Sequence, residues 1–248
     1  MKKGRTFLSA FVITALVTWL LWAGLLVQFT VSTGENAPAL YAGDRVLVSR
    51  LSYGWRPQLP FGFGSFCLGY KSPQRGQWMA FRNPTGGSID CHQRGVLLGQ
   101  CRALPGDTVW VSWDGVVVDP QIQTNKAYPF VVPGRKVKVE VKPWNARLLC
   151  RTLNKHEHIP AVLVGDTAIL VAGKWRRTLT FTKDYFWIGS HRALADCDTR
   201  NLGYLPDDHL LGRVVRLSYS VDPEAPFYAC FRGSRFFRSV DHSLTLNN

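Results

Sequence analysis

The chain has 248 residues and a formal charge of +13, which suits one large domain or two small ones with a basic surface. Apolar residues make up 46% of it and aromatics 12%, enough for a sizeable core, so an intrinsically disordered chain is excluded. Such a charge balance draws a protein to anionic lipid headgroups or nucleic acid, with a merely solvated basic surface as the plainer alternative.

The N-terminus opens on the basic cluster MKKGR, and no charged residue follows from Thr6 to Ser32. Its core, Phe7–Phe29, is about 35 Å long as a helix, enough to cross a bilayer. A transmembrane helix is therefore expected over 7–30. Residues 1–6 would lie in the cytoplasm and residues 31–248 outside it, by the positive-inside rule. The competitor is a cleaved signal peptide, whose apolar core is ordinarily shorter. Ala37–Ala39 resembles its small-residue cleavage site, although Pro38 sits inside it.

Beyond this run the pattern is mostly β. Arg45–Tyr53, Trp78–Arg82, Gly95–Ala103 and Ala168–Gly173 are expected strands. Thr108–Pro120 is expected to be a hairpin turning at Asp114-Gly115. WRRTLTF, YFWIGS and GRVVRLSYS complete the β content, and Trp144–Glu157 carries helical spacing at Ala146, Leu149, Cys150 and Leu153. Two segments break the regularity. Tyr53–Tyr70 is dense in Gly, Pro and rings, and either dips into headgroups or packs on the core. Pro226–Val240 mixes Phe with Arg, and either lies on an anionic membrane or packs back onto the β domain.

Six cysteines (Cys67, Cys91, Cys101, Cys150, Cys197 and Cys230) form no C-x-x-C pair, so a zinc ribbon or thioredoxin motif is unsupported. A local Cys91–Cys101 bridge and buried free thiols both remain open. His156 and His158 lie in KHEH, where a solvated loop is the expectation and a metal pair the alternative; no metal and no cofactor are expected.

Four blocks in order resemble the bacterial signal peptidase I family, which are membrane-anchored, all-β serine endopeptidases using a Ser–Lys dyad. TGENAPALYAGDRVLVSRLSYG is similar to the family's nucleophile block, with Gly34, Pro38, Leu40, Gly43 and Asp44 matching. PQRGQWMAFRNP, GQCRALPGDTVWV and GSHRALADCDTRNLGYLP resemble the three blocks that follow. The resemblance implies a mainly β fold: an N-terminal transmembrane helix, then a signal-peptidase-like β domain. Its core would span about 31–125 and 184–220, with an inserted β/α subdomain at about 126–183, similar to that of longer members in Bacteroidetes.

In that family a serine attacks the amide and a neutral, desolvated lysine takes its proton. Carried over by motif, the nucleophile position is Glu35, the lysine position Gly99 and the lysine-orienting serine position Asp196. No catalytic side chain is intact. Thr33 keeps a hydroxyl at the oxyanion-assisting position, Asp198 and Arg200 keep the structural ion pair, and Gly34, Pro38 and Leu40 are candidate peptide-groove residues. Substitutes are poor. Ser32 could attack in a shifted register, but no lysine lies between Lys71 and Lys126. Arg94 and Arg102 stay protonated. Cys91-His92 and Ser190-His191 are adjacent pairs that diverge on a strand. Glu35 with Asp196 as a carboxylate pair is the remaining route.

The expected function is thus a non-catalytic signal-peptidase-like protein of the bacterial inner membrane, its bulk in the periplasm. It would bind exported precursor peptides by strand addition, or scaffold or regulate an active signal peptidase paralogue or secretion-complex subunits. The first alternative is an active endopeptidase with substitute residues. The second is a basic module binding membrane lipid. Nucleic acid is not an expected partner, since no Lys/Arg stripe interleaves with aromatics.

Overall fold

The computed structural model describes residues 10–16, 18, 25–32, 34, 36–54, 69–85, 95–112, 115–117, 127–165, 168–189, 198–226 and 228–240. Residues 10–16 are helical (α1), and no helix among the described residues is long and apolar enough to cross a membrane. The helix expected over 7–30 does not run to its end. Leu26–Thr30 is a strand, β1, pairing antiparallel with β2 (Asp44–Ser49) from Leu26↔Ser49 to Thr30↔Arg45. LVQFT carries Val, Phe and Thr, which suit a pleated, half-buried surface, and a ready partner strand outweighs continuation of the helix.

β1 and β2 begin a seven-stranded antiparallel sheet with β3 (Trp78–Arg82), β4 (Val96–Ala103), β13 (Tyr185–Gly189), β14 (Leu205–Pro206) and β15 (Leu210–Ser220), in the order β1-β2-β15-β3-β4-β13-β14. Both faces of its centre are covered. Trp78 and Ala80 turn to a cluster with Val46, Val48, Leu98, Val214 and Leu217, while Met79 and Phe81 turn to one with Cys101, Phe186, Ile188 and Leu210. This two-sided burial is why β3 is a continuous apolar run and not an alternating one. Arg50–Tyr53, expected to prolong β2, is instead a 3₁₀ turn closed by Gly54 at φ 101°.

Three small sheets surround this one: β5 (Thr108–Ser112) between β6 (Gly115–Val117) and β7 (Tyr128–Val131); β8 (Val139–Glu140) with β12 (Thr178–Leu179); and β10 (Ala168–Val171) between β9 (Ala161–Val164) and β11 (Lys174–Arg176). The helical segment is α2 (Ala146–Thr152) followed by a π-helical turn at Leu153–Glu157. The insert does not keep a separate core. Leu149, Leu153, Ala161 and Ile169 share one cluster with Ala103, Tyr185, Trp187 and Tyr204. A four-residue helix, α3 (Thr199–Leu202), precedes β14.

Charged groups tie the insert to the sheet. Lys183 Nζ donates to the His156 carbonyl (2.8 Å) and pairs with Asp208 (2.8 Å), which also meets His209 Nδ1 (2.8 Å). The Glu157 carboxylate accepts from Tyr185 Oη (2.8 Å) and Thr182 N (3.1 Å). His156 is therefore not in a solvated loop: it is 6% exposed, its ring 5.4 Å from that of His209, and no metal-holding group of His, Cys, Asp and Glu occurs among the described residues. Burial pushes the His156 imidazole down to about 3. His209, Lys183 and Lys155 push the same way and Asp208 opposes them. The unfolded chain therefore takes a proton below the ordinary histidine value that the folded chain refuses, so stability falls as pH drops from about 6.5 and levels off near 3. We expect a loss of ~2 kcal/mol between pH 6.5 and 5 in chemical denaturation, and a visibly flatter profile for His156→Leu. An identical slope in both proteins would remove His156 as its source.

The C-terminal segment packs back onto the β domain. Arg235 places Nη2 at 2.6 Å and Nε at 3.2 Å from the two Asp44 oxygens, donates to Ala39 O (2.9 Å) and stacks 4.6 Å from the Tyr41 ring. Arg232 donates to Ala42 O (3.0 Å) and pairs with Asp222 (3.0 Å). Tyr228, Phe231, Phe236 and Phe237 remain exposed on this segment. Residues 55–68 of the other irregular segment lie outside the described residues. Cys101 is a buried free thiol, pushed up to about 12 by burial, so the local bridge to Cys91 is not formed; Cys150 is also a free thiol, and Cys67, Cys91 and Cys197 lie outside the described residues.

Candidate functional site

The connection from β1 to β2 carries the block that resembles a nucleophile loop. It is anchored at its base by Val31 N to Asp44 O (2.8 Å) and Gly43 N to Val31 O (2.9 Å). Gly43 must be glycine, since its φ is 87° and an added Cβ would fall 1.8 Å from the Val221 carbonyl oxygen. Within it, Ala37 N donates to Gly34 O (3.2 Å) and Leu40 N to Asn36 O (3.0 Å), giving a compact turn. Gly34 is half-buried and Pro38 exposed, so both have surface to offer. Leu40 does not: it is fully buried in the core with Val31, Val46 and Val48. Thr33 and Glu35 lie outside the described residues, as do Asp196, Arg94, His92, Ser190 and His191.

The loop is tied to β4. Asn36 Nδ2 donates to Leu98 O at 2.9 Å across 62 residues of sequence, beside Gly99. The turn at Asn36 and the part of β4 at Leu98 are therefore neighbours. Position 99, however, holds no vacancy. An added Cβ would lie 2.4 Å from Ile188 Cγ2 and 3.3 Å from Phe81 Cε1. Ile188 is aimed there by its backbone. The register of β13 on β4 shifts between Trp187 and Ile188, and Ile188 N–H donates to Thr199 Oγ1 (2.7 Å). Its Cγ2 sits on a branched, stiff Cβ, so the methyl cannot swing clear as the end of a long side chain would.

Asp198 caps α3 through Arg200 N (2.9 Å) and also accepts from the Arg200 guanidinium at 3.1 and 3.2 Å; it is nearly inaccessible. Arg102, weighed above as a substitute base, lies against Gly189 in the Asp198 field. Burial pushes its guanidinium below the ordinary value and Asp198 opposes the shift. It remains a cation and supplies no base. Sequence reasoning missed Ile188, Asn36 and Arg235. The first two carry no sequence signal, being an ordinary strand residue and an ordinary turn residue. Arg235 could have been suspected only as one of three arginines among the Phe residues of its segment.

This arrangement defines a class: a mainly β frame in which a compact turn is held against β4 and an acid–arginine pair caps α3. The family profile described as signal peptidase, peptidase S26, matches residues 4–219, and the chain belongs to that family. A stretch of 85 residues is 36% identical to signal peptidase I of Pseudomonas aeruginosa; it covers 34% of this chain and 27% of that protein. The chain thus aligns with about a quarter of the length of this curated relative. The segment that carries Arg232 and Arg235 lies beyond the family match.

Proposed function

We propose that this chain is a non-catalytic signal-peptidase relative, anchored in the inner membrane with its β domain on the periplasmic side, that holds an extended segment of an exported precursor against β4. The observation that carries the reading is the closure of position 99. A peptidase of this type needs an uncharged amine at the end of that side chain, and here Ile188 Cγ2 stands 2.4 Å from where its first carbon would go, with Phe81 crowding the same place. A peptide bound by strand addition needs backbone groups and a sheet edge, and no catalytic side chain.

The anchor rests on sequence. β1 takes residues 26–30 and leaves the uncharged stretch 6–25, about 30 Å long as a helix, which matches a hydrocarbon core. Precursor binding, regulation of an active paralogue and a place in a secretion complex would all use β4, and strand addition suits the first.

The experiment is incubation of the purified full chain in detergent with a precursor carrying alanine at the processing site. No cleavage above background is expected over long incubation, while the precursor is retained on the immobilised chain. Cleavage abolished by Glu35→Gln would establish the active alternative and overturn this reading.

A further inference from the structure

The three-stranded sheet of the insert has two unlike faces. Directly opposed residues of antiparallel strands turn their side chains the same way. Leu170 is opposed by Val162 on one side and by Trp175 on the other, and Ala168 by Val164. These five make one face. Ala161, Leu163, Ile169 and Val171 make the other, which packs into the cluster with Leu149 of α2. The first face is open: Val162 is 59% exposed, Val164 40% and Trp175 60%, with Ala168 and Leu170 half-buried between them. A single exposed apolar residue needs no explanation, but these are contiguous across three strands.

β11 sets the chemistry around this row. Ala172 (φ 46°) and Gly173 (φ 77°) form the tight turn that lays Trp175 against Leu170. Lys174, Arg176 and Arg177 surround the ring and are all exposed, against Asp166 as the one acid in 161–179. Alternation turns Lys174 and Arg176 away from Trp175, but β11 is an outer strand of its sheet, and their long stems carry the charges round it. The apolar row measures about 10 Å across the strands and about 7 Å along them. A stable protein interface buries about 800 Å² on each partner, so the row is too small for one. A second copy of the chain would bring like charges together, and cations on an outer strand deter an added strand. A bilayer demands neither area nor shape: rings sit at headgroup level, short apolar side chains dip below it, and Lys and Arg reach the phosphates.

We propose that the open face of β9–β11 rests on anionic lipid as a second point of membrane attachment, with Trp175 at headgroup level and Lys174, Arg176 and Arg177 on the phosphates. The inference rests on the anchor in the reading above, and it is independent of what happens at position 99. The insert packs on β13, five strand spacings from β1, where the anchor would join; that is roughly 24 Å across the sheet. One helix leaves the domain free to tilt over the bilayer, and a contact that far from it fixes the tilt. The contact can be weak in itself, because the anchor makes it intramolecular.

The test places the full chain in nanodiscs of phosphatidylglycerol with phosphatidylcholine, or of phosphatidylcholine alone, with brominated acyl chains that quench tryptophan. Subtracting the emission of Trp175→Phe from that of the unaltered chain isolates Trp175. In the anionic discs this difference is expected to fall by about half or more, and to recover in about 0.5 M salt. It should also recover when Lys174, Arg176 and Arg177 are all changed to Gln. All four positions are exposed, so these variants are expected to fold. Full Trp175 emission in anionic discs overturns the attachment and hands the face to a protein partner. Equal quenching in phosphatidylcholine alone, unchanged by the three Gln substitutions, overturns the recognition of anionic lipid. A chain that stays out of the discs overturns the anchor and the second attachment with it. With the unaltered chain alone, backbone hydrogen exchange in 161–179 should be slower in the anionic discs than in the neutral ones, and equal exchange overturns the proposal.

Discussion

Arg235→Ala is expected to destabilise the chain by about 3–5 kcal/mol, the cost of leaving one member of a buried ion pair without its partner. Asp44 is fully buried, and Arg235 supplies two of the contacts to its carboxylate, with the Tyr41 N–H (2.9 Å) as a further donor. Removing the guanidinium also strands the Ala39 carbonyl and uncovers the Tyr41 ring. For a chain of this length the loss corresponds to a fall of roughly 10 °C in melting temperature. Asp44→Ala should cost a similar amount, and the double variant much less than the sum, because one interaction is removed twice. A loss below ~1 kcal/mol for Arg235→Ala would show that the pair is solvated and weak. The effect should be local first. The pair joins the C-terminal segment to the loop that carries position 35, so backbone protection in 36–44 should fall before that of β3 and β4.

The second large effect concerns position 99. Gly99→Lys is expected to lower stability by ~3 kcal/mol or more. Its Cβ meets a stiff methyl at 2.4 Å, and its amine enters an apolar cluster with Met79, Phe81 and Phe186. Glu35→Ser combined with Gly99→Lys should therefore fold poorly and cleave nothing, although on paper both working groups are back. Ile188→Ala is the compensating change. Alone it should cost about 2–5 kcal/mol as a cavity; in the Gly99→Lys background it should raise stability, since the lysine stem fills the space that the isoleucine leaves. Urea denaturation of the four proteins checks the sign reversal. Cleavage by the double variant with Ile188 in place would show that residue 99 has an open path to the groove, and would remove the main support for a non-catalytic role.

Much of the frame was legible in the residues. β2, β3, β4, β13 and β15 follow from alternation or short apolar runs bounded by turns, and α2 from its helical spacing; the Thr108 hairpin also forms, but Ser112 pairs with Gly115, so Gly115 belongs to β6 and the turn is not at Asp114-Gly115. These are local patterns. β1 was not legible, because LVQFT continues an uncharged run and only its pairing with β2 makes it a strand. Within the candidate site, the absence of a lysine at position 99 is written in the sequence. That this absence leaves no vacancy is not, because the filling methyl comes from Ile188 on another strand and is aimed by a register shift and by the Thr199 hydroxyl. The buried setting of His156 was missed for the same kind of reason: KHEH is polar in sequence, and the apolar and charged groups around the ring come from β13 and the turn before β15.

The sequence by itself determined the family and the order of its blocks, and the motif resemblance implies Glu35 and Gly99 at the nucleophile and base positions, since these depend only on which residue stands at which place in a motif. The tertiary structure decided whether position 99 is open. Ile188 over Gly99, Arg235 on Asp44 and Asn36 on Leu98 join residues 89, 191 and 62 positions apart. Such pairs are set by strand register, bulges and the path of the returning chain, which no local pattern encodes.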